Sequence, residues 1–225
     1  MAHVLDNPIW HALTGPLAGF AIGAGQARHM HRDVGPFSAI EANTDGADRD
    51  LRVSLPAGSD VVLFRPTREA DPPGWTIVAA RPLVQMVVEP SDLPPSFAAD
   101  PPLPLGADDD MLGLVEQEKP GPFARRTPEL GSYVGYRGDG RLLAMGGHRM
   151  RVPGFTELSA IAVDASARGR GLGAAIVLHL AHGVVATGDT PFLHVFPDNP
   201  AMELYRRLGF RERALLWVLW RRPVG

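Results

Sequence analysis

The stretch from Val163 to Ala174 constrains what this chain can fold into more than any other. It brings Gly169, Gly171 and Gly173 together with Arg168 and Arg170. Residues 158–163 before it are short, apolar and β-branched at alternate places, the pattern of a strand. Leu172, Ile176, Leu180 and Val184 after it recur every four residues and give a helix one apolar face. A glycine turn between strand and helix gathers bare backbone N–H groups at a helix N-terminus. An anion there gains both hydrogen bonds and the favourable end of the macrodipole. Glycines this dense cost backbone entropy and want a reason. The turn reads as a phosphate or pyrophosphate site.

Spacing sorts the phosphate ligands. A Walker loop ends in Gly-Lys-Ser/Thr, and this turn has no lysine. Gly169-x-Gly171-x-x-Ala174 does satisfy the relaxed dinucleotide pattern. A Rossmann domain, however, opens with such a turn and continues through further β-α-β units. Here the turn sits late, so a nicotinamide-dependent oxidoreductase is poorly supported. Beyond the helix come a strand over 192–196, a helix start at Pro197-Asp198-Asn199-Pro200, and then Tyr205-Arg206-Arg207-Leu208-Gly209-Phe210.

These two stretches, in this order, resemble the GNAT superfamily of acetyl-CoA-dependent acyltransferases. Arg168-Gly169-Arg170-Gly171-Leu172-Gly173 matches that family's Arg/Gln-x-x-Gly-x-Gly/Ala signature, and Asn199 to Phe210 is similar to its later Asn…Leu-Tyr-x-x-x-Gly-Phe stretch. The resemblance covers roughly the last 120 residues. It implies that the turn, from Arg168, Gly169, Arg170 and Gly171 to Leu172, Gly173 and Ala174, holds the pyrophosphate of acetyl-CoA. It implies that the pantetheine arm pairs with the backbone of Ile161, Ala162 and Val163, and that Asn199 contacts the arm. Asn199 is equally placed to cap the helix ahead of Pro200. Tyr205 stands at the family's general-acid position. Glu157, at the start of the strand facing the cleft, stands where many members place a base, which would act directly or through water. Ser159 and His148 are the fallback relays.

Composition narrows the rest. The chain has 225 residues, 45% hydrophobic and 21% charged, with a formal net charge of −3. That balance gives no reason to expect nucleic acid or an anionic membrane as partner. There are no cysteines, which removes disulfides, thiolate metal sites and a cysteine nucleophile. No apolar run approaches the roughly 18–20 residues of a membrane span. The N-terminus has neither a basic nor an apolar leader region, so a cytoplasmic protein is expected. His29-x-His31 lacks an acidic partner at ligand spacing, and no metal is expected.

Read in order, the chain predicts a helix from about Asp6 to Leu13, a strand over 17–22 and a short helix over 47–55. Strands at 61–64, 75–80 and 83–88 come next, separated by prolines and glycines. Residues 89–104 are rich in proline, which suits neither a helix nor a central strand. They read as a linker, with a boundary near residue 98. Thereafter come a strand at 103–105, a helix over 111–118 capped by Asp108-Asp109-Asp110, a hairpin of 131–137 and 141–150, and the strand 155–163. The expected fold class is α/β (α+β): a GNAT-like mixed sheet flanked by helices over 99–225, preceded by a smaller α/β supporting domain over 1–98. The expected function is acetyl-CoA-dependent transfer of an acetyl group to a primary amine, with no acyl-enzyme. Acetyl-CoA and the amine are the expected partners, and a homodimer is allowed. From another class, a non-catalytic acyl-CoA-binding or regulatory module on the same fold remains open.

Overall fold

Strand pairing in this chain ignores the expected midpoint. The computed structural model describes residues 3–224 except 71, 96–99, 107 and 108. Its elements run α1 (Pro8–Leu13), β1 (Ala21–Ile22), β2 (Ala27–Met30), β3 (Ser38–Ile40), α2 (Asp45–Ser54), β4 (Val61–Arg65) and β5 (Trp75–Val87). They continue with β6 (Leu103–Leu105), α3 (Asp109–Glu118), β7 (Tyr133–Gly138), β8 (Arg141–Val152) and β9 (Phe155–Val163). The chain ends with α4 (Leu172–Ala186), β10 (Thr190–Val195), α5 (Ala201–Arg207) and β11 (Arg211–Pro223). Eight strands form one mixed sheet in the order β4-β11-β5-β10-β9-β8-β7-β6, while β1, β2 and β3 form a small sheet of their own.

The two-residue period of the strands sorts side chains onto the two faces of the large sheet. Val62, Phe64, Leu83, Phe192, Leu216 and Val218 share one face and pack with Leu5, Ile9 and Leu13 of the N-terminal segment. Val84, Met86, Leu158, Leu193 and Val195 take the other, against Ile176, Leu180 and Val184 of α4. The apolar stripe expected from the four-residue spacing on α4 is therefore its sheet-facing side. On the first face the N-terminal segment is a cap laid over the sheet. Buried Arg221 of β11 ties α2 to that sheet, donating to Asp48 at 3.0 Å and pairing with Glu69.

Several boundaries differ from expectation, each for a local reason. Residues 18–20 turn as a 3-10 helix and leave only the two-residue β1. The two strands expected around Pro82 are the single β5. Pro82 faces Trp217 on β11, but β10 covers only Val84–Val87, so the proline lacks a second neighbour and its missing N–H costs no ladder bond on that side. Strands β2 and β3 carry no clear alternation and were not expected. Asp108 and the expected boundary near 98 lie outside the described residues. The β7–β8 hairpin turns through Asp139 and Gly140, both at positive φ (51° and 75°), as a two-residue hairpin loop requires. No helix among the described residues is long and apolar enough to cross a membrane.

One irregularity shapes the centre of the sheet. β9 pairs with β10 in parallel only as far as Leu158–Leu193. Two residues later Ala160 adopts φ 55°, and the register against β8 slips between Gly147–Ser159 and Met145–Ala162. One extra residue on β9 makes a bulge, which bends the strand. Beyond Leu193 the two strands part.

Strand β5 lies between β11 and β10 and pairs with both. A fragment of residues 99–225 would lose β5 and β4 and leave the edges of β10 and β11 unpaired. It should be insoluble or lack a cooperative urea transition; a soluble fragment that melts cooperatively would contradict this.

Candidate active site

The glycine turn takes the conformation its composition asks for. Gly169 and Gly171 sit at φ 74° and 80°, in the left-handed region, and Gly171 is the N-cap of α4. A Cβ built on either meets no protein atom within 4 Å, so the space beside the turn is open. Glycine supplies no capping side chain, and none other caps α4. The N–H groups of Leu172, Gly173 and Ala174 have no carbonyl four residues back within the helix. Asp164 braces the turn from behind, accepting from the Ser166 N–H at 2.9 Å. Arg168 is exposed and ion-paired with Glu118 at the end of α3.

A cleft of about 530 Å³ opens where β9 and β10 part. Residues 159–163 line one side, and Val195, Phe196 and Asn199 line the other. Asn199 caps α5, its Oδ1 accepting from the Ala201 N–H at 2.9 Å, and it lines the cleft as well. Both expected roles are thus geometrically available to it. Tyr205 also lines the cleft and is only 8% exposed. Burial pushes its phenol up to about 12, so the hydroxyl keeps its proton across neutral pH.

Glu157 does not line the cleft. It is fully buried behind Arg149 and His194, which line the cleft in its place. Arg149 donates from Nε to Oε2 at 2.9 Å and from Nη2 to Oε1 at 2.7 Å. His194 Nδ1 lies 2.7 Å from Oε1. Burial alone would raise the carboxyl, but the Arg149 charge and these hydrogen bonds outweigh it and hold it at about 2. The expected base, acting directly or through water, therefore has both oxygens engaged by Arg149 and His194 and does not itself line the cleft. Of the fallback relays, Ser159 lines the cleft. His148 does not, lying instead in a hollow with His179 of α4 on the opposite face, where burial lowers its pKa.

The network extends beyond Glu157. Gln85 Nε2 lies 3.0 Å from both the Leu5 carbonyl and His194 Nε2, while its Oε1 accepts from Arg213 Nη1 at 2.7 Å. Flipping the amide would face oxygen to the Leu5 carbonyl and NH₂ to a guanidinium. The orientation is therefore determined: Gln85 donates to His194 Nε2, so Nδ1 carries the imidazole proton and donates to Glu157. Both nitrogens of His194 are taken. Arg213 closes the chain at the N-terminal segment, donating to Asp6 Oδ1 at 2.6 Å.

The N-terminal half also builds the cleft. Phe37, Val62, Phe64 and Leu83 line it together with Val218 and Trp220 of β11. Val62 stands opposite Trp220, and Phe64 opposite Val218. Phe37 lies under the Arg149 guanidinium at 4.6 Å, and Phe64 meets His194 edge-on at 4.9 Å. These residues escaped the sequence reading because an apolar strand residue and a cleft residue look alike, and Arg149, His194 and Gln85 because their partners lie on other strands. Among the described residues no three His, Asp or Glu side chains gather to hold a metal. The nitrogens of His29 face the Met30 and Ser54 carbonyls.

Comparison with known proteins agrees with this geometry. A family model described as FR47-like protein matches residues 133–218. A structure from Novosphingobium aromaticivorans, described as an acetyltransferase of the GNAT family, is 33% identical, with full coverage of both chains and a TM-score of 0.89. A GCN5-related N-acetyltransferase from Kribbella flavida shares the fold at 22% identity and TM-score 0.64, over 96% of this chain and 94% of its own. A GNAT-family acetyltransferase from Colwellia psychrerythraea does so at 13% and 0.53, over 98% and 97%. No curated protein matches the sequence. The chain belongs to the GNAT family of acetyltransferases.

Glu157 supplies a stability test. Its folded pKa lies below the ordinary 4.5, so its contribution is present above that pH and is lost as pH falls towards 2. The displacement corresponds to about 3 kcal/mol. Glu157→Gln leaves Arg149 buried without its counter-charge and should cost about 3–5 kcal/mol at pH 7. Urea denaturation should show this gap narrowing from pH 5 to pH 3; a constant gap would contradict the ion pairing.

Proposed function

We propose that the protein is an acetyl-CoA-dependent N-acetyltransferase that passes an acetyl group directly to a primary amine. The observation that carries this reading is the uncapped N-terminus of α4 behind Gly169 and Gly171, opening beside the gap between β9 and β10. Acetyl-CoA, when bound, supplies the acetyl group on a thioester. The amides of residues 169–174 would hold its pyrophosphate, with Arg168 and Arg170 as charge partners. Hydrogen bonds to charged groups contribute about 1.5–3 kcal/mol each, so several amides supply much of the affinity. The backbone of Ile161, Ala162 and Val163, free of β10 at this point, would pair with the extended arm, and Asn199 would add a polar contact.

The chemistry falls to the side chains lining the cleft. The amine nitrogen forms a bond to the acetyl carbon as the carbon–sulfur bond breaks, and the nitrogen's proton ends on the sulfur. Tyr205 gives its phenolic proton to the departing sulfur and takes back the one nitrogen releases. Glu157 serves as a positioning residue that holds Arg149 and His194. An acetyl-CoA reaction suits a cytoplasmic protein. The residues of 1–98 support the catalytic half and also wall its cleft.

Two measurements test the reading. Calorimetry should show acetyl-CoA binding by the full chain. Gly171→Ala carries the backbone strain of φ 80°, about 1–2 kcal/mol, while Gly171→Asp adds a carboxylate where the pyrophosphate must sit. The aspartate variant should bind at least about 10-fold more weakly than the alanine variant, and equal affinities would move the site elsewhere. Tyr205→Phe should lower the maximal rate by roughly 10²-fold or more, with acetyl-CoA affinity retained. The loss should shrink for acyl donors with a more acidic thiol. A Tyr205→Phe protein of parental rate, with the chemical step limiting, would remove that role. A chain that binds acetyl-CoA yet acetylates no amine would instead be the non-catalytic module.

A further inference from the structure

The end of the cleft remote from the glycine turn has a chemistry of its own. It lies at the level of Glu157, at the start of β9, and is walled by Phe37, Val62, Phe64, Leu83, Val218 and Trp220. A polycationic acceptor would need carboxylates facing this space, and the structure provides the opposite. Lys119, Glu118 and Arg168 line the cleft towards the glycine turn, Glu118 paired with Arg168, whereas the charged group lining it at the level of Glu157 is Arg149. Glu157 sits behind Arg149 with both oxygens engaged.

The same set of side chains leaves nowhere for an amine's surplus proton. Glu157 is enclosed, and His194 has both nitrogens committed, one to Glu157 and one to Gln85. Tyr205 is a protonated phenol, and Ser159 can pass a proton but not keep it. An ammonium entering here would meet apolar walls and the Arg149 guanidinium, both of which favour its neutral form.

We infer that the acceptor is an apolar primary amine, carried on an aromatic or branched aliphatic group, and that it is taken up and reacts as the free base without a protein general base. This rests on the acetyl-transfer reading and names its substrate class. The proton an amine carries in water is lost to solvent on entry. The neutral nitrogen then attacks the acetyl carbon, and the proton it releases reaches the sulfur through Tyr205.

The test uses the full chain loaded with CoA and titrated calorimetrically with 2-phenylethylamine, isopentylamine and spermidine. Titrations at pH 7.5 in two buffers of different ionisation enthalpy count protons. The apolar amines, with pKa values near 10, are ammonium ions in that solution, so binding should release close to one proton each. They should also bind at least about 10-fold more tightly than spermidine. Trp220→Ala should weaken the aromatic amine by about 10-fold with CoA affinity unchanged. In turnover, kcat/KM plotted against pH should break at each amine's own pKa for two amines of different basicity. Absence of proton release, tighter binding of spermidine, no apolar amine bound by CoA-loaded protein, or a break at one pH shared by both amines would each overturn the inference. Failure to bind CoA at the outset would instead remove the acetyl-transfer reading beneath it.

Discussion

The carboxylate of Glu157 is the point on which the interior is organised. It sits on β9, takes Arg149 from β8 and His194 from β10, and reaches through Gln85 of β5 to Arg213 of β11 and Asp6 of the cap. Five strands and the N-terminal segment thus meet in one hydrogen-bonded chain. A buried ion pair is a poor source of net stability, because desolvation offsets most of its attraction. Its value lies in uniqueness: each group has one arrangement that leaves no donor facing a donor. Shifting any of these strands by one residue would turn a charge towards the apolar face and strand its partner.

That constraint explains why the cap belongs to the site. Leu5 and Asp6 fix Gln85 and Arg213, and these set the tautomer of His194. The cap also brings Phe37 under Arg149, so a guanidinium that would be costly in an apolar wall is balanced on one side by Glu157 and on the other by an aromatic face. In the proposed reading, cofactor grip and acceptor shape therefore come from different parts of the chain: the grip would be local to the turn at 168–174, and the wall of the acceptor end is assembled from β4, β5, β11 and the segment before them.

The gap between β9 and β10 is the third element, and it depends on strain. Ala160 at φ 55° is held in a conformation that costs a non-glycine residue of order 1–3 kcal/mol. The surrounding sheet supports it: Met145 and Ala162 are in register again immediately beyond the bulge. The parting of the strands frees the backbone of residues 161–163 beside the N-terminus of α4, without which the turn would have no cleft to serve.

Much of this was legible in the residues themselves. The glycine turn, the stripe on α4, the hairpin at Asp139-Gly140 and the strands from β7 onwards arise from neighbours a few positions apart, where glycine torsions and side-chain periods of 2 and 3.6 decide the outcome. The family resemblance, not periodicity, pointed to Tyr205 and Asn199, which line the cleft, and to Glu157, which does not; a strand carboxylate reads the same whether it faces solvent or a guanidinium. Its partner His194 is 37 residues away, Gln85 is 109 from His194, and Arg213 is 207 from Asp6. Periodicity carries no information over such separations. The merging of both halves into one sheet, the enclosure of Glu157 by its cationic partner and the apolar wall of the cleft were decided by tertiary structure, because each depends on which distant strands become neighbours.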